Sequence, residues 1–314
     1  MDYKFNEELK SWSIEKNISR NILISKLQLF SYEEFEGLDS ITLSRWFTGK
    51  TTPSLYKQFL IAICMEIDIV EFILKIDTSK FKSSSKDLKV VSNFIRILDY
   101  GLHSLSYKPG INKFSSKIEF DDRVTHIDKF GFFYRNIGSI SNYIEDLYSE
   151  NRNVNHVSIT IRNDNGDILA HWTGIENIEE IDGLSSFISI QEQELNKSSF
   201  LNMAYFKNSK QYFELLTMAL CYHLLKLIKK KEFVYVFISG FLVYEFTKHV
   251  IGAEDIKYYP PIPDSNDPGV HLVKINIIKA ITNPILLPKI KYRLKCLGDS
   301  CLNNCSSCNL NEFV

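Results

Sequence analysis

The segment HVSITIRNDNGDILAHWTGI, residues 156–175, alternates apolar and polar side chains on both sides of Asn163-Asp164-Asn165-Gly166. A period of two places successive side chains on opposite faces of a strand, and Asn, Asp and Gly tolerate the positive φ of a tight reversal. This segment is therefore expected to form two antiparallel strands joined by a hairpin. An all-helical fold is excluded for this part of the chain.

The text that follows keeps alternating between strand and helix. SFLNMAYF reads as a strand, and KQYFELLTMALCYHLLKLIKKK as a long helix with a basic end that suits its dipole. Next come a buried-strand run FVYVFISG, a helix FLVYEFTKHVIG, a short strand near DIKYY, a Pro-rich loop and the strand VHLVKINII. The predicted order from Val157 is β-β-β-α-β-α-β-β, a mixed α+β layer without internal repeats.

The period differs in the first quarter of the 314-residue chain. Ile18, Ile22, Leu23, Leu27 and Leu29 lie at helical spacing, and Ser31-x-x-Glu34 has the form of a capping box. Asp39 or Ser40 is placed to cap a third helix that Gly49 ends, and Pro53 precedes a fourth, Ser54 to Met65. DTSKFKSSSKDLK is too polar to hold a core position and reads as a linker, with an amphipathic helix from Val90 to Leu105 after it. The expected division is 1–76, an all-α helix-turn-helix bundle; 77–89, a linker; 90–290, an α+β domain; and 291–314, a cysteine-rich tail.

A formal net charge of −1 provides no overall field for nucleic acid or an anionic membrane, so such contacts need a local patch. The acidic N-terminus lacks a signal-peptide h-region, and no apolar run reaches the ~18–20 residues of a membrane span. The expectation is a cytoplasmic protein without a membrane partner.

DSITLSRWFTGKTTPS (39–54) supplies a local patch: from Ser40 to Lys57 there are basic residues and no acids. Leu43, Trp46 and Phe47 would anchor a helix, and Ser40, Ile41, Thr42, Ser44 and Arg45 would face a major groove. Arg45 has the planar fork that reads guanine; Thr48, Lys50, Thr51 and Lys57 would meet phosphates. With GLD before it and the Gly49 and Pro53-Ser54 exit, this stretch resembles the Cro/cI (XRE) helix-turn-helix family. The resemblance implies double-stranded DNA as partner and a homodimer on two half-sites.

The later segments, SFLNMAYFKNSKQYFELLTMALCYHLLKLIKK and FVYVFISGFLVYEFTKHVIGAEDIKYY, resemble the GNAT acyltransferase fold, a mixed sheet with flanking helices. That resemblance implies a glycine-rich turn whose amides cradle the pyrophosphate of coenzyme A at a helix N-terminus. The turn here, Tyr205 to Gln211, has no glycine, so coenzyme A is not expected, although Lys207 and Lys210 could attract an anion. Tyr244 or Tyr258 could serve as acids in a functioning enzyme; packing at the edge of a core is the commoner role for such tyrosines.

CLGDSCLNNCSSC places Cys296, Cys301, Cys305 and Cys308 within thirteen residues, a spacing able to hold zinc or an iron–sulfur cluster, to form redox disulfides, or to be inert. The scattered histidines share no metal-ligand spacing, and Glu192 and Glu194 read as solvated. Together these features lead to a sequence-specific DNA-binding transcription regulator. Its C-terminal domain would dimerise or sense a small-molecule or peptide ligand, responding to metal or redox state through the cysteines, and catalysis is not expected. The alternative is an N-acyltransferase of GNAT type with a helical recruitment domain.

Overall fold

The computed structural model describes residues 3–100, 114–135, 137–141, 154–263, 269–299 and 307–313. The chain divides into two compact units, Met1–Lys82 and Ser83–Val314.

The first unit holds helices α1 (Phe5–Glu15), α2 (Arg20–Phe30), α3 (Tyr32–Phe35), α4 (Ser40–Thr48), α5 (Leu55–Cys64) and α6 (Ile69–Lys75). Side-chain caps fix most of the starts: Ser19 accepts from the Ile22 N–H, Asp39 from Thr42 at 2.6 Å, Ser54 from Lys57 and Asp68 from Glu71. Gly49 ends α4 at φ 74°, a left-handed conformation that glycine adopts without steric cost. Leu9, Leu23, Leu27, Leu43, Phe59 and Ile73 are fully buried, and the Trp12 and Phe59 rings meet Phe72 edge-on at 5.3 and 5.2 Å. The expected Ser31 capping bond is not made. Ser31 instead closes α2 by donating its N–H to the Leu27 carbonyl, and its side chain makes no capping bond to α3.

The polar stretch 77–89 is only partly a connection. Ser84 accepts from the Asp87 N–H, and α7 (Ser85–Tyr100) begins inside that stretch. Its serines and lysines form the solvent side of a helix whose inner side buries Phe94 and Leu98. The expected helix reached Leu105; residues 101–113 lie outside the described residues.

The second unit is built on a seven-stranded sheet: β1 (Ser115–Asp121), β2 (His156–Arg162), β3 (Ile168–Ile175), β4 (Ser198–Tyr205), β5 (Phe233–Ser239), β6 (Glu254–Tyr259) and β7 (Val270–Asn276). Its spatial order is β1-β2-β3-β4-β5-β7-β6. Every neighbouring pair is antiparallel except β4 and β5, which run parallel and are therefore joined by a crossover. This is the mixed sheet with flanking helices expected of a GNAT-like α+β domain. The hairpin forms where expected: Asn163 Oδ1 accepts from the Asn165 and Asp167 N–H groups, and Gly166 takes φ 86°.

Helix α8 (Arg123–Arg135) and the short helices α9 (Leu184–Ile188) and α10 (Glu192–Leu195) precede the crossover. The crossover helix α11 (Ser209–Tyr222) continues through a π-turn, His223–Leu227, and α12 (Phe241–Phe246) continues through another, Thr247–Ile251. Helices α13 (Ile277–Ile281) and α14 (Leu287–Asp299) follow β7. On one face Phe130 and Tyr134 of α8 pack with Phe200, Tyr235, Phe237 and Leu272 of the strands. On the other, Leu216 and Leu220 of α11 line a space with Val234 and Ile275. The alternation of Tyr235 and Phe237 against Val234, Val236 and Ile238 follows from the pleat of β5.

The last residues pack back onto the sheet. Asn309 bonds both backbone groups of Ile118, Cys308 lies beside Ser116, and the Phe313 ring meets Tyr222 at 5.1 Å.

Candidate functional site

Strands β4 and β5 pair from Ser198 to Leu201 against Phe233 to Val236, and then part. From there each strand keeps its other neighbour: β4 pairs with β3, and β5 with β7. The two inner edges so opened carry backbone groups able to bond a linear, amide-bearing ligand as an added strand would. A cavity of about 180 Å³ lies at this opening, lined by Asn202, Met203 and Tyr205 of β4, Phe237 and Ser239 of β5, and Tyr212 of α11, among others. Its walls are mainly apolar, with a few polar groups, as small-molecule sites commonly are.

The pairing of β4 with β3 is irregular at the mouth of this cleft. Thr173 lies opposite Met203 and Gly174 opposite Leu201, so Asn202 is an extra residue, a β-bulge of the kind that re-aims a side chain. Asn202 is 2% exposed, and its Oδ1 accepts from the hydroxyls of Tyr134 (3.1 Å) and Thr173 (3.0 Å). Tyr134 Oη is also 2.7 Å from His126 Nε2. A phenol has one proton to give; with that proton on Asn202, His126 is the donor and carries its proton on Nε2. Burial, with the neighbouring His156 second, pushes the His126 pKa down to about 2, so the ring is neutral. The His156 ring stacks on it at 3.9 Å, and His156 and His171 are pushed down to about 4, chiefly by burial.

The helix that begins beside the cleft has its first turn already bonded. Ser209 gives its N–H (2.8 Å) and its hydroxyl (2.7 Å) to the two carboxylate oxygens of Asp99, from α7. Lys207 N–H bonds Gln211 Oε1, and Gln211 N–H bonds Asn208 Oδ1. Phe94 holds α7 in place, its ring 4.8 Å from Tyr212 and 4.5 Å from Phe246. The position where a pyrophosphate would meet a helix N-terminus is filled by the protein's own carboxylate.

Several residues singled out in the sequence lie elsewhere. Tyr244 donates to Asp255 (2.8 Å), accepts from Lys248 and stacks on His271 at 4.0 Å; it does not line the cleft, and neither does Tyr258. Lys210 lies over the Phe114 ring at 4.7 Å. In the first unit Ser40, Ile41, Arg45, Thr48, Lys50 and Thr51 are exposed, and Thr42 and Ser44 are half-buried. Thr48 turns its hydroxyl back to the Ser44 and Arg45 carbonyls, and Lys57 donates to the Glu34 carbonyl at 2.7 Å. Glu192 and Glu194 are not equivalent: Glu194 accepts from Tyr235 and pairs with Lys274.

Sequence reasoning passed over Tyr134, Thr173, Asn202 and Asp99. The signal for Asn202 was present: a lone amide inside the apolar run SFLNMAYF must find partners when the strand is buried.

No family model matches the chain, and no curated protein matches it. Solved structures it is similar to include enzymes of N-acyl transfer. FeeM, an N-acyl amino acid synthase from uncultured soil microbes, has 11% identity and a TM-score of 0.38 over 56% of this chain and 98% of its own. A spermidine N-acetyltransferase from Vibrio cholerae, in complex with CoA and spermine, has 10% identity and a TM-score of 0.32 over 52% and 98%. A putative phosphinothricin N-acetyltransferase has 14% identity and a TM-score of 0.33 over 52% and 98%.

Two expectations are corrected. The DNA-binding transcription regulator is not borne out: the solved structures found similar are N-acyl and N-acetyl transfer enzymes. The helical pattern of the first unit is accounted for by its packing and caps, which many small bundles share. Metal binding is likewise not supported: among the described residues no group of three or more His, Cys, Asp or Glu is placed to hold an ion. Cys308 is buried and Cys296 half-buried, while Cys301 and Cys305 lie outside the described residues. Among the described residues no helix is long and apolar enough to cross a membrane.

Proposed function

We propose that the chain is an N-acyltransferase whose reaction takes place in the cleft between β4 and β5. The observation that carries this reading is the parting of the parallel pair beyond Leu201 and Val236, with the Asn202 bulge at its mouth. A thioester arm lies between the opened edges, bonding backbone groups of both strands, and brings its carbonyl to Asn202. Tyr134 and Thr173 hold the Asn202 amide in one orientation, and preorganised dipoles of this kind stabilise the charge that develops on a thioester oxygen.

Among the described residues, the side chains along the cleft supply hydroxyls and an amide, with no thiol–imidazole pair, and direct attack by the acceptor amine suits them better than an acyl-enzyme. The amine nitrogen forms a bond to the thioester carbonyl carbon. The carbon–sulfur bond breaks with its electron pair on sulfur, and the proton lost from nitrogen ends on the departing thiol. The first unit, with its exposed Ile22, Leu29, Tyr32 and Ile41, acts as a recruitment module.

The test is amine-dependent release of free thiol by the purified full chain, with acyl thioesters of N-acetylcysteamine and of coenzyme A and a panel of primary amines. Turnover is expected with the former, and Asn202→Ala is expected to lower kcat by about 10²-fold, as removal of an oxyanion-stabilising group does. Absence of amine-dependent thiol release with every donor and acceptor would overturn the reading.

A further inference from the structure

Behind the cleft lies a second cavity of about 70 Å³, on the same face of the sheet and under α11. Trp172, Ile251 and Ile275 line both cavities, so the two meet at a wall of three side chains. The pleat of β5 gives their direction. Ile238 and Val236 line the outer cavity and Val234 the inner one, all on one face of the strand. Four residue steps at about 3.3 Å each make this path about 13 Å long. The inner cavity is walled mainly by apolar side chains, with Ser199 and His223 among its lining, and at its end Tyr222 donates to the Glu176 carboxylate.

An acetyl group would use only the mouth of such a path. An extended chain advances about 3.3–3.6 Å per three bonds, so roughly eleven bonds span the distance. We propose that the acyl group transferred here is a medium-length fatty acyl chain, its carbonyl at Asn202 and its tail running past Trp172 along Val236 and Val234 into the inner cavity. This rests on the acyltransferase reading and adds to it the class of donor. Trp172 and Ile251 must shift from the shared wall to admit the tail, and each methylene that passes into the cavity tightens binding about fourfold.

Calorimetry on the full chain with acetate, hexanoate and decanoate tests the pocket without turnover. Affinity is expected to climb steeply from hexanoate to decanoate, and the fluorescence of Trp172, read against a Trp172→Phe control, is expected to change with it. In the thiol-release assay, decanoyl N-acetylcysteamine should exceed the acetyl thioester. Ala219→Phe, which fills the inner cavity, should cut the decanoyl-to-acetyl ratio at least about tenfold, and Ser199→Leu, narrowing it from β4, should act in the same direction. Thermal denaturation of both variants checks that they fold; if neither does, the fatty-acid series on the unaltered chain decides. A flat affinity series with acetyl transferred as well as decanoyl would overturn the fatty-acyl pocket and leave the transferase standing. Decanoate binding with no transfer from any thioester would do the reverse.

Discussion

A β-carbon on Gly174 would lie 2.3 Å from the carbonyl oxygen of Phe200, nearer than any real contact allows. The close approach comes from the bulge: one extra residue in β4 swings its backbone over β3, and only a residue without a side chain leaves room. Gly174→Ala should therefore destabilise the protein by about 1–3 kcal/mol in denaturant unfolding, the usual cost of overpacking a filled site. It should also displace Asn202, so the variant is expected to lose thiol release beyond what its remaining folded fraction explains. Full activity in a folded Gly174→Ala protein would show that the bulge does not set the site. The glycine was plain in the sequence; its reason was not, because a register shift belongs to a pair of strands and neither strand carries it alone.

The elements around the cleft were largely legible. The hairpin, the strands β4, β5 and β7 and the crossover helix α11 follow from period, turn residues and length. What escaped was the role of α7. Its polar first residues read as the end of a linker, and nothing local links Asp99 to Ser209, 110 positions later in the chain. Yet that carboxylate fills the start of α11, where a negative group is favoured by the helix dipole by about 0.3–2 kcal/mol. Asp99→Ala should loosen α7 from α11. Hydrogen exchange of the α7 amides is expected to speed up by roughly fivefold, equivalent to about 1 kcal/mol, while the amides of β5 stay as they are. Equal protection of α7 in both proteins would mean that Phe94 and its aromatic neighbours hold the helix without help from the carboxylate.

For the molecule as a whole, buried histidines set the response to acid. His156, His171 and His223 are pushed from 6.5 to about 4, mainly by burial, and His126 further. In the unfolded chain they take up protons below about pH 6.5, and in the folded one only near pH 4 or lower. Between these values the unfolded state binds more protons, so stability falls as pH falls, by up to about 1.4 kcal/mol per pH unit for each histidine. Denaturant midpoints should be level above pH 7 and drop progressively from pH 6.5 toward 4. His171→Phe, which fits between Phe130 and Phe133 without a titrating ring, should make that slope shallower, the other buried histidines keeping the rest of it.

By itself the sequence determined the elements and their chain order, because hydrophobic period, caps and turn residues act within a few positions of themselves. It also determined that the stretch between β4 and α11 has no glycine cradle. Only the tertiary structure decided where chemistry is available. The cleft exists because two parallel strands part, the bulge because their neighbours slip by one residue, and the filled anion position because a helix over a hundred residues earlier folds across it. A helical pattern near the N-terminus looked chosen for DNA because local spacing fits many bundles equally well. The groups that line the cleft are brought together by long-range pairing, which no single stretch of residues records.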